Sequence, residues 1–223
     1  MFATIARRYD LLNHLLSANV DKRWRRTVAE RVRERSQSAD SRILDVACGT
    51  GDLALTLFET TGAEVFATDF CRPMLTIAAA KIGSGIRLVE GDALRLPFRD
   101  GTFDVVTIAF GLRNLTSVEQ GLAELYRVLK GGGWLAVLEF SRPTNPALRA
   151  VFGTYFTRVL PVMGGIISGS KSAYTYLPDS VKRFPDQDQL AGVMQETGFV
   201  QVGFENLTGG IAALHLGRRP VTA

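Results

Sequence analysis

At 223 residues and 46% hydrophobic composition, the chain is long enough to bury one substantial core, and a prior of roughly 100–200 residues per domain calls for no second one. A net charge of +4 with a pI near 9.3 falls well short of a nucleic-acid signature, while two cysteines rule out a disulfide framework and make a reducing compartment the default. No basic-then-apolar leader opens the sequence and no run reaches ~18 apolar residues, which points away from secretion and membrane spanning.

A helical layer is predicted over about 2–36. Arg7, Arg8, Lys22, Arg23, Arg25, Arg26, Arg31, Arg33 and Arg35 crowd it. Such a layer could meet anionic lipid headgroups or RNA phosphates, or it is a plain solvated face. Strand 43–47 then runs into a glycine loop, Cys48-Gly49-Thr50-Gly51, that opens helix 51–60. Gly49, Gly51 and Ala54 match the dinucleotide pattern G-x-G-x-x-G/A, but Asp45 and Asp52 would flank a pyrophosphate with negative charge. S-adenosylmethionine has no phosphate, and its methionine end carries an ammonium and a sulfonium, so acids around the loop favour it. Asp52 is equally explained as a favourable charge at a helix N-terminus.

Strand 64–68 ends at Asp69, an acid placed to accept from ribose hydroxyls. After helix 72–82, strand 86–90 leads to Asp92 and Ala93, an acid and a small residue suited to an adenine edge and face. Acids at three successive strand ends separate this pattern from an ordinary strand-helix turn. Strand 103–109, helix 117–130 and strand 134–140 follow, with Lys130-Gly131-Gly132-Gly133 expected to end the helix and turn into the strand. Residues 146–170 form an apolar insertion, where Phe152, Tyr155, Phe156, Val159 and Leu160 share one face if helical. A helix over about 186–197 precedes a hairpin, Val200–Asn206 with Ile211–Leu216. The alternation predicts an α/β fold with a parallel sheet and helices on both faces. His14 and His215 have no partners at ligand spacing, so no metal is expected.

Several of these segments together resemble the ubiquinone/menaquinone biosynthesis C-methyltransferase family. They are ILDVACGTGD from Ile43, DFCRPML from Asp69, GDALRLPF from Gly91, FGLRN from Phe110, LEFSRP from Leu138 and NLTGGIAALH from Asn206. YDLLNHLLS from Tyr9 and YxYLPDSVKRFPDQ from Tyr174 extend the match to almost the whole chain. The resemblance implies a class I Rossmann-like methyltransferase with a seven-stranded sheet ending in an antiparallel hairpin. It implies S-adenosylmethionine as cofactor and a prenylated quinol as partner, demethylmenaquinol before a ubiquinol or phylloquinol precursor.

By that likeness Thr50 lies in the cofactor loop, Asp69 at the ribose, and Asp92 with Ala93 at the adenine, where Asp45, Gly49 and Gly51 already pointed. Some relatives have Ser where this chain has Ala109, so a hydroxyl contact to cofactor is lost there or replaced by backbone. Arg113 is expected to hold a phenolate, and Asn114 and Tyr9 to hydrogen-bond ring oxygens or a water. The proton acceptor is a held water or His14, because an arginine stays protonated. The expected organisation is one domain over 1–223, with residues about 144–180 as substrate insertion or lid. A nucleic-acid methyltransferase and an NAD-dependent oxidoreductase are the competing classes, and no specific nucleic acid is expected. The expected location is cytoplasmic, with peripheral contact at the membrane face. A homodimer interface is an alternative use of the insertion.

Overall fold

The computed structural model describes residues 19–36, 40–154 and 180–221. In chain order these form α1 (Val20–Arg33), β1 (Arg42–Val46), α2 (Asp52–Thr61), β2 (Glu64–Asp69), α3 (Arg72–Ile82) and β3 (Ile86–Glu90). They continue as β4 (Phe103–Ala109), α4 (Val118–Val128), β5 (Leu129–Phe140), α5 (Pro146–Thr154), α6 (Gln187–Glu196), β6 (Val200–Leu207) and β7 (Ala212–Arg218). The strands make one seven-stranded sheet in the order β3-β2-β1-β4-β5-β7-β6. Neighbours from β3 through β5 run parallel, and β7 lies antiparallel to both β5 and β6. The expected terminal hairpin is therefore present, and it carries β7 into the sheet between β5 and β6.

The strand order explains where a ligand can enter. From β1 the chain first winds outward through β2 to β3, then returns to place β4 on the opposite side of β1. Connections leave β1 and β4 in opposite directions, so a crevice opens at their carboxyl ends. The strands behind that crevice are apolar on both faces, with Ile43, Leu44 and Val46 of β1 fully buried, as parallel strands covered by helices require.

Local chemistry sets the helix ends. Ser117 caps α4 by accepting the Gln120 N–H at 3.1 Å, and Asp186 with Gln189 forms a capping box on α6. Helix α1 buries Trp24, Val28, Ala29 and Val32 in the same core cluster as Leu138 of β5 and Leu214 of β7, and turns Lys22, Arg23, Arg26 and Arg33 outward.

The Lys130–Gly133 segment differs from expectation. Helix α4 stops at Val128 and β5 already begins at Leu129, so the glycines lie within the strand rather than in a turn before it. The reason is close backbone approach: a Cβ on Gly133 would come within 2.9 Å of the Asp104 carbonyl, and Gly132 sits at φ +85° where the pairing with β4 shifts register. Residues 2–18 of the predicted helical layer, and 155–179 of the insertion, lie outside the described residues.

Candidate active site

Beyond β1 the chain crosses the carboxyl edge of the sheet with Ala47, Gly49 and Gly51 at φ +53°, +57° and +84°. Glycine takes that left-handed region without strain. Gly51 is also needed for closeness, since a Cβ there would meet the Ile82 side chain at 3.2 Å, whereas one on Gly49 would meet nothing within 4 Å. Gly49 thus faces open space, and it borders a cavity of about 270 Å³.

Asp69 fastens this loop to the end of β2. Its Oδ2 accepts the Gly49 N–H and its Oδ1 the Cys71 N–H, both at 2.8 Å. Burial raises its pKa, and these N–H bonds oppose the rise. Both oxygens retain lone pairs for further donors. Asp45, on β1, is fully buried. Its Oδ1 accepts the Thr107 hydroxyl at 2.8 Å, and its Oδ2 has no partner among the described residues. Burial is the main cause that pushes its pKa up to about 7. Asp92 is exposed past β3, with Oδ1 accepting the Leu94 N–H at 2.9 Å, and Ala93 beside it is buried.

Gly49, Asp69, Asp92, Ala93, Ala109 and Asn114 all border the cavity. Asp45, Thr50 and Gly51 are not part of its lining, and Tyr9 and His14 lie outside the described residues. Asp52 takes its other expected role: at the start of α2 it pairs with Lys81 and, at 3.7 Å, with Arg25.

The turn after β4 closes the far side. Phe110 adopts φ +56°, a left-handed conformation uncommon for an aromatic residue. Its carbonyl accepts from Arg113 Nη1 at 2.6 Å and from Asn114 Nδ2 at 3.1 Å. The turn is seated directly on the glycine loop, for a Cβ on Gly111 would lie 2.6 Å from that of Ala47. Asn114 borders the cavity but Arg113 does not. Arg113 Nη1 instead donates to Glu139 Oε2 at 2.7 Å, with the two side chains only 7% and 2% exposed. The charge expected to face an acceptor is half of a buried ion pair, because Glu139 on β5 needs a cation to stay ionised.

Sequence reasoning passed over Glu139, although a glutamate inside the apolar run Trp134–Phe140 is a signal, since a charge buried in an interior strand calls for a partner. It also passed over Trp24, whose Nε1 donates to Thr208 at 2.9 Å and whose ring lies 6.0 Å from that of Phe110. No local pattern marks a contact spanning that much chain.

Residues 1–219 match the model of the ubiE/COQ5 methyltransferase family. The chain belongs to that family. It is 54% identical over 224 residues to a demethylmenaquinone methyltransferase of Thermus thermophilus, covering 99% of this chain and 100% of the relative. A ubiquinone/menaquinone biosynthesis C-methyltransferase UbiE of a Geobacter strain is 44% identical, covering 98% of this chain and 94% of its own. The fold is also that of a SAM-dependent methyltransferase structure from Aquifex aeolicus, with TM-score 0.60, 19% identity and 86% and 89% of the two chains covered. The protein is a class I methyltransferase and its methyl donor is S-adenosylmethionine. The site fits that donor. Acids line or back the cavity from three strands, and the unpartnered Asp45 oxygen behind the glycine loop suits a cation or a water held beside it.

Proposed function

We propose that the enzyme methylates a ring carbon of a prenylated quinol, with demethylmenaquinol as the acceptor. One observation supports this: a single cavity runs from Asp69 and Asp92 to Phe110 and Asn114, long enough for the proposed cofactor and acceptor residues to border the same space. Relatives named for demethylmenaquinone methylation, at 54% and 49% identity, support the acceptor.

In this reading Asp69 takes the ribose hydroxyls, Asp92 and Ala93 the adenine, and Gly49, Thr50 and Gly51 give the methionine end access to loop backbone, with Asp45 behind them. Ala109 contributes backbone only. When bound, S-adenosylmethionine supplies an electrophilic methyl group on a sulfonium. The chain must make the acceptor carbon nucleophilic, and it does so by favouring the deprotonated form of the neighbouring hydroxyl. Asn114, on the cavity wall, donates to the ring oxygen. Arg113, behind the wall, adds a positive field and a buried Nε–H with no partner among the described residues. Tyr9 is a second hydrogen-bonding group, and a held water or His14 takes the proton.

The chain acts as one methyltransferase unit in which 144–180 receives the prenyl tail. No described helix is long and apolar enough to cross a membrane. The outward cations of α1 suit peripheral contact at a cytoplasmic membrane face, and dimerisation through the apolar insertion is the competing use of that segment.

Redox state tests the chemistry. An oxidised quinone is electron-poor and has no hydroxyl proton to lose, so radiolabelled methyl should enter demethylmenaquinone only when a reductant is present. Equal incorporation without reductant rejects the phenolate mechanism, and transfer to a demethylated benzoquinol alone rejects the acceptor.

A further inference from the structure

The buried carboxylate of Glu139 is engaged on every side. Oε1 accepts the Arg113 backbone N–H at 3.2 Å, and Oε2 accepts Arg113 Nη1 at 2.7 Å and the Phe140 backbone N–H at 3.1 Å. Arg113 in turn donates to the carbonyl of Phe110, the residue at φ +56°, and its guanidinium lies 5.4 Å over the Phe140 ring. One side chain near the end of β5 therefore grips both the main chain and the side chain of the turn that walls the acceptor end of the cavity. A left-handed phenylalanine persists only where its surroundings over-determine it. Here the chain of contacts runs from Glu139 through Arg113 to the Phe110 carbonyl, which Asn114 shares.

We propose that Glu139 is a positioning residue for methyl transfer, holding Arg113 and the Phe110–Asn114 turn in the geometry that meets the acceptor. This rests on the reading of that turn as the acceptor site. Glu139 touches neither reactant: its influence passes through Arg113, whose orientation and field it sets. An arginine without this partner keeps its charge but loses its fixed direction, and misplacement by about 1 Å is enough to slow a reaction on the order of 10²-fold. Burial, which raises the Glu139 pKa, is opposed chiefly by the Arg113 charge.

The test is a double-mutant cycle of Glu139→Gln, Arg113→Ala and both together. Each is assayed for folding by circular dichroism, for S-adenosylmethionine binding by calorimetry, and for kcat and KM with reduced demethylmenaquinol. Glu139→Gln preserves shape and removes the charge. It should keep S-adenosylmethionine affinity within about threefold while kcat falls on the order of 10²-fold. The double variant should lose clearly less than the product of the two single losses, because the guanidinium that Glu139 orients is already gone and only its contact to the backbone N–H of residue 113 is left. A wild-type kcat in Glu139→Gln beside a slow Arg113→Ala overturns the inference and leaves the acceptor site standing. Losses that multiply in the double variant also overturn it, since Glu139 then acts without Arg113. Full activity in Arg113→Ala defeats the underlying reading itself. Should Glu139→Gln fail to fold, Glu139→Asp, which keeps the charge on a shorter arm, takes its place in the cycle and is judged by the same outcomes.

Discussion

Asp69, the proposed ribose acceptor, is also a structural tie of the glycine loop. Each of its oxygens already accepts a backbone N–H, from Gly49 and from Cys71. Asp69→Ala removes the proposed ribose acceptor and at the same time releases the glycine loop from β2. We expect S-adenosylmethionine affinity to fall by about 1–3 kcal/mol, the range for hydrogen bonds to a charged acceptor. Asp69→Asn keeps one carbonyl oxygen and should lose less. Calorimetry on both variants checks the order, and equal affinity of Asp69→Ala and wild type would remove Asp69 from the site.

Two contacts between elements carry further consequences. The turn after β4 rests on the turn after β1 at Gly111, whose φ of −105° suits any residue, so the barrier to a side chain is purely steric. Gly111→Ala should drive the new Cβ into Ala47 and Ile108 and push the two turns apart, destabilising the fold by about 1–3 kcal/mol as overpacking does, and weakening S-adenosylmethionine binding. Urea unfolding alongside calorimetry measures both effects, and an unchanged midpoint would mean the two turns slide freely. In α1 and the turn just after it the cations divide by partner. Arg25 pairs with Asp21, Arg31 with Glu205 at 3.1 Å, and Arg35 lies 4.9 Å over the Trp134 ring, while Lys22, Arg23, Arg26 and Arg33 are exposed. If that exposed set meets anionic lipid, each neutralisation to Gln should weaken partitioning onto anionic vesicles by about 1 kcal/mol, with a steep salt dependence. Identical flotation of the fourfold variant and wild type would restore the solvated-face reading.

Across the whole molecule, carboxylates buried in one sheet shape its response to pH. Asp45 holds its proton up to about 7 in the fold against an ordinary value of 3.8, and burial raises Asp69 and Glu139 as well. Between those limits the folded state binds more protons than the unfolded chain, so stability is fullest at low pH in this window and declines as pH rises through it. For Asp45 alone the decline is roughly 4 kcal/mol. Asp45→Asn imitates the protonated group, so its unfolding free energy should fall less between pH 5 and about 8 than that of wild type, while its S-adenosylmethionine affinity drops. Parallel stability curves for variant and wild type across that range would show that Asp45 titrates normally.

The sequence by itself determined the alternation of strands and helices, the glycine loop and the acids at strand ends, because burial on both faces, left-handed turns and strand-end carboxylates leave local marks on residue type. The gathering of Asp69, Asp92 and Ala93 beside one cavity follows from those marks, and so does the final hairpin. Gly131–Gly133 lie in β5 rather than in the expected turn, because a glycine needed for close backbone approach looks identical in sequence to one needed for a turn. What only the tertiary structure decided is the pairing of Arg113 with Glu139, the seat of Gly111 on Ala47 and the reach of Trp24 to Thr208. Each joins residues far apart in the chain through the packing of separate elements. No period or motif encodes a partner chosen by the order β3-β2-β1-β4-β5-β7-β6, which sets β4 beside β5 and brings a buried glutamate of β5 onto the turn that follows β4.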